Sequence, residues 1–288
     1  MSSSPADRSS ADTIVLIHGL WMTPRSWEQW VEHYSRAGFR VLAPAWPGMD
    51  GEVEQLRRNP APIAKLNVTR IIDHYDRIIR DLDRPPIIMG HSFGGAFAQV
   101  LADRGLGGAT VVIDSAAVKG VYRLPLSTLR SAWPILRSLG NRRKAVPLSP
   151  DQFHYAFTNT LSREESNRIY GRYHVPAAGG VLFEGAMANF NPRSALRVNF
   201  ANSDRAPLLF IAGGADHVCP AVLNKSNAGR YRRSRAITGY HGYPGRTHFT
   251  LGQPGWQEVA DYALEWAVEA TATHKPDYQR QPAPVAGQ

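Results

Sequence analysis

Short apolar runs punctuate the chain at 13–17, 39–43, 86–90, 109–113 and 207–212, with a weaker one at 235–243. They are β-branched and mostly apolar on both faces, so most of each run avoids water. That is how strands buried in a parallel sheet read. Between them the period changes. Residues 26–37 place Trp27, Trp30, Val31 and Tyr34 at helical spacing, and 68–82 carry Val68, Ile71, Ile72, Tyr75, Ile78, Ile79 and Leu82 on one stripe. Helical patterns also cover 93–104 and 255–270, the last with Trp256, Val259, Tyr262, Ala263, Trp266 and Ala267. The alternation predicts an α/β fold: a mostly parallel sheet of about six strands, flanked by helices.

The alternation stops between the fourth and fifth runs. Residues 118–206 hold helical fragments rich in Arg, Leu, Phe and Tyr, interrupted by Pro125, Pro134, Pro147, Pro150, Pro176 and Pro192. Ten aromatic residues, from Tyr122 to Phe200, argue against a floppy loop. We expect a helical cap here, inserted into a core of residues 13–117 and 207–271. A loose leader is expected at 1–12 and a Pro-rich tail at 272–288.

Composition narrows the class. At 288 residues and 43% hydrophobic, the chain can bury one large core. No apolar run approaches the ~20 residues that cross a bilayer, and no membrane partner is expected. The polar N-terminus lacks the apolar stretch of a secretory signal, which favours the cytoplasm. A single cysteine, Cys219, allows no internal disulfide and no zinc site built on a cysteine cluster. The net charge of +9 rests on 28 Arg against 5 Lys, with runs at Arg142-Arg143-Lys144 and around Arg230 to Arg235. No nucleic-acid-binding motif accompanies them, so a solvated arginine-rich surface is expected in place of a nucleic-acid partner.

Chemistry concentrates in Gly90-His91-Ser92-Phe93-Gly94-Gly95. The motif G-x-S-x-G alone is weak, but here it ends a buried strand and opens a helix. That context fits a strained turn that lifts a serine hydroxyl clear. Gly90 and Gly94 remove side chains that would collide, and Gly95 lets the helix approach the sheet. The Phe93 N–H, first in the helix, would face a negative charge forming beside Ser92. Phosphate-binding glycine loops want other spacings, and none is present.

A serine hydroxyl needs a base. His217, His241 and His248 compete. His248 is preferred because it lies in a polar loop at the right end of the sheet, whereas His241 sits within a strand and His217 directly follows an acid. The orienting carboxylate is expected from Asp216, at the end of the fifth strand, with Asp114 the alternative. A second oxyanion donor should follow the first strand, in I-H-G-L-W, where Gly19 permits close approach and the Leu20 N–H would point toward Ser92. His18 is read as a brace for that loop.

Jointly, I-H-G-L-W at 17–21, G-F-R-V-L-A-P-A-W-P-G at 38–48, G-H-S-F-G-G at 90–95, G-G-A-D at 213–216 and T-H-F at 247–249 resemble the α/β-hydrolase fold superfamily. The resemblance covers the core and leaves 118–206 unmatched. It implies a triad of Ser92, Asp216 and His248, an oxyanion hole of the Leu20 and Phe93 amides, acyl transfer through a covalent acyl-enzyme, and neither cofactor nor metal. A serine nucleophile disfavours the dehalogenase and epoxide hydrolase branches, which carry aspartate there. Ala45-Trp46 replaces the acidic residue often found before Pro-Gly, so a local rearrangement is expected.

The expected activity is hydrolysis of a small, largely apolar carboxylic ester or lactone. His18, Trp21, Met22, His91 and Trp133 are candidate pocket residues, Trp27 a further one, and Arg123 a candidate carboxylate contact. Three alternatives stand beside it. One is other chemistry on the same triad (C–C hydrolysis, acyl transfer, a lyase or cofactor-free haloperoxidase reaction). The others are a small-molecule receptor with an idle triad, and a binder of nucleic acid or an anionic surface.

Overall fold

A computed structural model describes residues 11–273. Its strands are β1 (Thr13–Ile17), β2 (Arg40–Leu42), β3 (Ile87–His91), β4 (Ala109–Ile113), β5 (Ala145–Val146), β6 (Ala177–Ala178), β7 (Leu208–Gly213) and β8 (Thr238–Tyr243). Six of them form one all-parallel sheet in the order β2-β1-β3-β4-β7-β8. The chain runs outward from β1 to β2, then crosses back to β3 and proceeds the other way. The order therefore reverses between β1 and β3, and the carboxyl ends of those neighbours flank the crevice that open α/β sheets offer to ligands.

The described residues form eleven α-helices: α1 (Glu28–Arg36), α2 (Val53–Arg58), α3 (Ala61–Ala64), α4 (Val68–Arg80), α5 (Phe93–Asp103), α6 (Leu126–Leu136), α7 (Pro150–Phe157), α8 (Arg163–Tyr173), α9 (Gly179–Ala186), α10 (Ala221–Arg230) and α11 (Trp256–Thr273). Alternate strand residues divide between two cores. Val15, Ile17, Ile88, Val112 and Phe210 pack on one face of the sheet, with α4 and α5. Ile14, Leu16, Ile87, Met89, Val111 and Ile211 pack on the other, with α1 and α11. The two-residue period of a strand sends successive side chains to opposite faces, and each central strand is apolar at both.

Several boundaries differ from expectation. The second strand is only Arg40–Leu42, and the last begins at Thr238. Both are edge strands with weaker apolar patterns. Ala11 is already buried, and the Arg40 N–H donates to the Asp12 carbonyl, so the packed chain starts inside the expected 1–12 leader. The last helix extends through Thr273, two residues into the expected tail; the remainder of 1–12 and 272–288 lies outside the described residues. Helices α2, α3 and α10 had no counterpart in the apolar pattern. α10 buries Asn224 and Asn227 beside Leu223, so its inner face is partly polar and leaves no apolar stripe to read.

Within 118–206 lie α6 to α9 and a small antiparallel pair, β5 with β6, where no strand was expected. This segment packs over the carboxyl ends of the strands. The Phe249 N–H donates to the Phe157 carbonyl, and the Val175 N–H to that of Trp21. Phe153, Phe157, Val175 and Val181 belong to the same apolar cluster as the sheet face beneath. No helix among the described residues is long and apolar enough to cross a membrane.

Candidate active site

Ser92 sits between β3 and α5 with φ 57° and ψ −122°. Positive φ costs a non-glycine residue about 1–3 kcal/mol and persists only where its surroundings enforce it. Trp21 and Asp114 are the other two such residues among those described; Trp21 and Ser92 line the same cavity, and Asp114 is fully buried. The glycines show how tight the turn is. A Cβ on Gly90 would fall 2.2 Å from the Gly94 carbonyl oxygen, and one on Gly94 would fall 2.1 Å from that of Ile17. Neither clash involves a side chain that could rotate away.

The structure brings together three residues far apart in sequence. His248 Nε2 lies 3.1 Å from Ser92 Oγ, and His248 Nδ1 lies 2.7 Å from Asp216 Oδ2. A carboxylate can only accept, so Nδ1 carries the proton and Nε2 is left to accept the serine hydroxyl. The other Asp216 oxygen accepts the Val218 and Cys219 N–H groups at 2.6 and 2.9 Å. All three residues are buried, so the chain of hydrogen bonds is shielded from water. Phe157, reaching in from α7, places its ring edge-on to His248 at 4.9 Å. Nothing in the sequence singled Phe157 out.

The competing residues are elsewhere. His217 Nδ1 bonds the Tyr155 carbonyl at 2.8 Å, and His241 packs between Tyr243 and Tyr262. Asp114 Oδ1 accepts the Gly213 N–H at 2.6 Å, which holds the turn that carries Asp216. Its Oδ2 is buried with no hydrogen-bond partner among the described residues. Burial, with the Asp216 charge nearby, pushes the Asp114 carboxyl well above the usual carboxylate range. Asp114, the alternative orienting carboxylate in the sequence, thus bonds this turn, and His248 Nδ1 meets Asp216.

The loop after β1 lies against the serine: a Cβ on Gly19 would meet Ser92 Cβ at 2.6 Å. His18 fixes its direction. His18 Nε2 accepts the Trp46 N–H at 3.3 Å, so Nδ1 carries the hydrogen and donates to the Gly19 carbonyl at 3.0 Å. Burial holds this imidazole down at a pKa of about 4, hence neutral. A trans peptide points its N–H opposite to its C=O. Anchoring the Gly19 carbonyl therefore turns the Leu20 N–H the other way. Neither the Leu20 nor the Phe93 N–H has a hydrogen-bond partner among the described residues. Trp46, where an acidic residue was the usual pattern, stacks on His18 at 4.6 Å.

A cavity of about 160 Å³ opens beside Ser92. Trp21, Phe93, Leu129, Leu182 and Val218 contribute to its walls, with Arg123 as the one charged lining residue. Of the pocket candidates, Trp21 lines it. His18, Met22 and His91 do not: they are buried behind the site. Trp27 is core, edge-on to Trp30. Trp133 points outward, 62% exposed, beside a separate groove with Arg130 and Tyr155. Cys219 and Leu223 line the cavity without any prior signal, since their place depends on how α10 packs.

A sequence profile described as the alpha/beta hydrolase family matches residues 14–262. No curated protein matches the chain significantly in sequence. Similar solved structures include a monoacylglycerol lipase from Paleococcus ferrophilus, 20% identical, with a TM-score of 0.60 over 91% of this chain and 96% of that one. An extracellular alpha/beta-hydrolase from a Paenibacillus species is 18% identical, with a TM-score of 0.64 over 89% and 98%. A pyrethroid hydrolase from Sphingobium faniae is 15% identical, with a TM-score of 0.62 over 92% and 100%. At these identities the likeness concerns the fold.

Proposed function

The chain belongs to the alpha/beta hydrolase family, and from that premise we propose that it is a serine hydrolase cleaving a carboxylic ester or lactone through an acyl-enzyme. The observation that carries this reading is the His248 imidazole, placed between Ser92 Oγ and Asp216 within hydrogen-bond reach of both.

In the proposed reaction Ser92 Oγ attacks the substrate carbonyl while His248 Nε2 takes its proton. Asp216 holds the tautomer and stabilises the imidazolium that forms. The carbonyl oxygen gains negative charge, which the Leu20 and Phe93 N–H groups receive. Each such donor is typically worth ~3 kcal/mol of barrier. The imidazolium returns the proton to the leaving alkoxide. Water, activated by the same imidazole, then releases the acid and restores Ser92. The residues that would act are all side chains and amides of this chain, so the reading calls on no cofactor.

The apolar walls of the cavity favour a largely apolar substrate, and Arg123 at its edge suits a negatively charged group at the far end. In this reading 118–206 serves as a cap, supplying Phe157 above the imidazole and Leu129 and Leu182 to the cavity. A fluorophosphonate probe should label the wild type and spare Ser92→Ala. Turnover of p-nitrophenyl esters and lactones then defines the substrate. Labelling without turnover of any of them would overturn the ester reading, and no labelling of the folded protein would overturn the nucleophile.

A further inference from the structure

Eleven large hydrophobic side chains are exposed among the described residues, and eight of them fall in 122–139 and 187–190. They are not scattered. Leu126, Leu129 and Trp133 recur at helical spacing on the outward face of α6, exposed by 83, 38 and 62%. The inward face of the same helix buries Ser131, Pro134 and Ile135. A helix apolar toward both core and solvent has an unmet face. Tyr122 and Leu124 precede it, with Met187 and Phe190 alongside. The two loops are stapled together, since the Asn189 side chain donates to the Val121 carbonyl at 2.8 Å and accepts the Gly120 N–H at 2.7 Å.

Charge says what this face meets. From Ser115 to Pro150 the sequence has no acidic residue and seven basic ones: Lys119, Arg123, Arg130, Arg137 and the run Arg142-Arg143-Lys144. All but Lys119 are exposed, and none of the seven forms an ion pair among the described residues. This segment thus carries seven positive charges and no negative one, against +9 for the whole chain, on the same stretch of sequence as the apolar face. Nucleic acid would engage the arginines and leave Leu126, Leu129 and Trp133 without a role. A sheet of anionic lipid satisfies both, taking the arginines at its headgroups and the apolar side chains at the acyl boundary.

We propose that the outward face of α6, with the loops 122–124 and 187–190, docks on an anionic lipid surface. Leu124, Leu129 and Arg123 belong both to this face and to the cavity wall beside Ser92. Docking therefore sets the cavity mouth at the lipid–water boundary, where an amphiphilic substrate can enter without crossing water. The sequence reading expected no membrane partner, and this proposal departs from it. Docking itself does not depend on the ester-hydrolase reading; the use made of it does.

The test is co-sedimentation of the Ser92→Ala protein with vesicles of phosphatidylcholine alone and of phosphatidylcholine mixed with phosphatidylglycerol. It needs no turnover, so its outcome is separate from that of the labelling experiment. The mixed vesicles should carry the protein down and the neutral ones should not. Leu126→Ser with Trp133→Ser should weaken partitioning about tenfold or more, and Arg142→Gln with Arg143→Gln by about fivefold per residue. In the otherwise wild-type chain, both pairs should still label with fluorophosphonate, which shows them folded. The proposal is overturned by a failure to sediment with mixed vesicles. It is overturned equally if the apolar pair binds as well as wild type while duplex DNA competes, which would mark a polyanion site. Self-association abolished by the apolar pair, without vesicle binding, would make this face a contact between two copies and overturn it too.

Discussion

His91 Nε2 lies 2.8 Å from the backbone carbonyl oxygen of His248. A carbonyl only accepts, so this nitrogen carries the hydrogen, and the residue before Ser92 grips the backbone of the residue opposite it. Burial, then the neighbouring His248, hold the His91 imidazole well below its usual range, so it stays neutral. Replacing His91 by Leu leaves a buried carbonyl unsatisfied, at a cost of about 1–3 kcal/mol. We expect His91→Leu to lower Tm and reduce kcat about tenfold with KM little changed, and His91→Gln, which retains a donor, to recover most of both. Equal loss in both variants would show that the bond does not position His248.

The two buried aspartates should separate cleanly. Asp216 accepts from the protonated side of His248, whereas Asp114 Oδ1 accepts the Gly213 N–H. Asparagine at 216 can present its NH2 to Nδ1 and favour the wrong tautomer, a change worth about 10⁴ in kcat in triads of this kind. Asparagine at 114 preserves an accepting oxygen, and burial already favours the neutral acid there. Ester turnover should therefore collapse in Asp216→Asn and stay within about threefold of wild type in Asp114→Asn. The reverse pattern would transfer the orienting role to Asp114.

His18 acts on the amide opposite the carbonyl it holds. Removing its Nδ1–H frees the Gly19–Leu20 peptide to rotate. His18→Phe should lower kcat by roughly 10²-fold, the cost of one oxyanion donor, while fluorophosphonate labelling slows without being lost. Burst kinetics with p-nitrophenyl acetate would show acylation as the step affected. An unchanged acylation rate would remove Leu20 from the proposed oxyanion hole.

Acid should weaken the packing of 118–206 through His174. Its Nε2 accepts the Leu148 N–H at 3.0 Å, and burial holds its pKa down at about 3. The unfolded chain takes up a proton near pH 6.5, and the folded protein refuses it until about 3. Stability is thus full above 6.5 and falls with pH across that window, by about 1.4 kcal/mol per unit for this group. His174→Gln, with an amide oxygen in place of the accepting nitrogen, should flatten the dependence of Tm on pH between 6.5 and 4. An identical slope in both proteins would remove His174 from the account.

What the sequence determined by itself is local. β1, β3, β4 and β7 are apolar on both faces because both faces are covered, so hydropathy alone marks them. The turn around Ser92 is equally legible, because Gly90, Gly94 and Gly95 answer clashes within a few residues of the serine and with the strand beside it. Tertiary structure decided everything that depends on distance across the fold. Asp114 and Asp216 both end buried strands, and only the position of the 244–250 loop sets one against His248 Nδ1. Phe157 reaches that imidazole through the packing of α7, and α10 hides its place behind buried asparagines. The same applies to α6: Trp133 reads as a pocket residue in sequence, and it is exposed. Exposure is a property of what lies opposite, and a one-dimensional pattern carries no record of it.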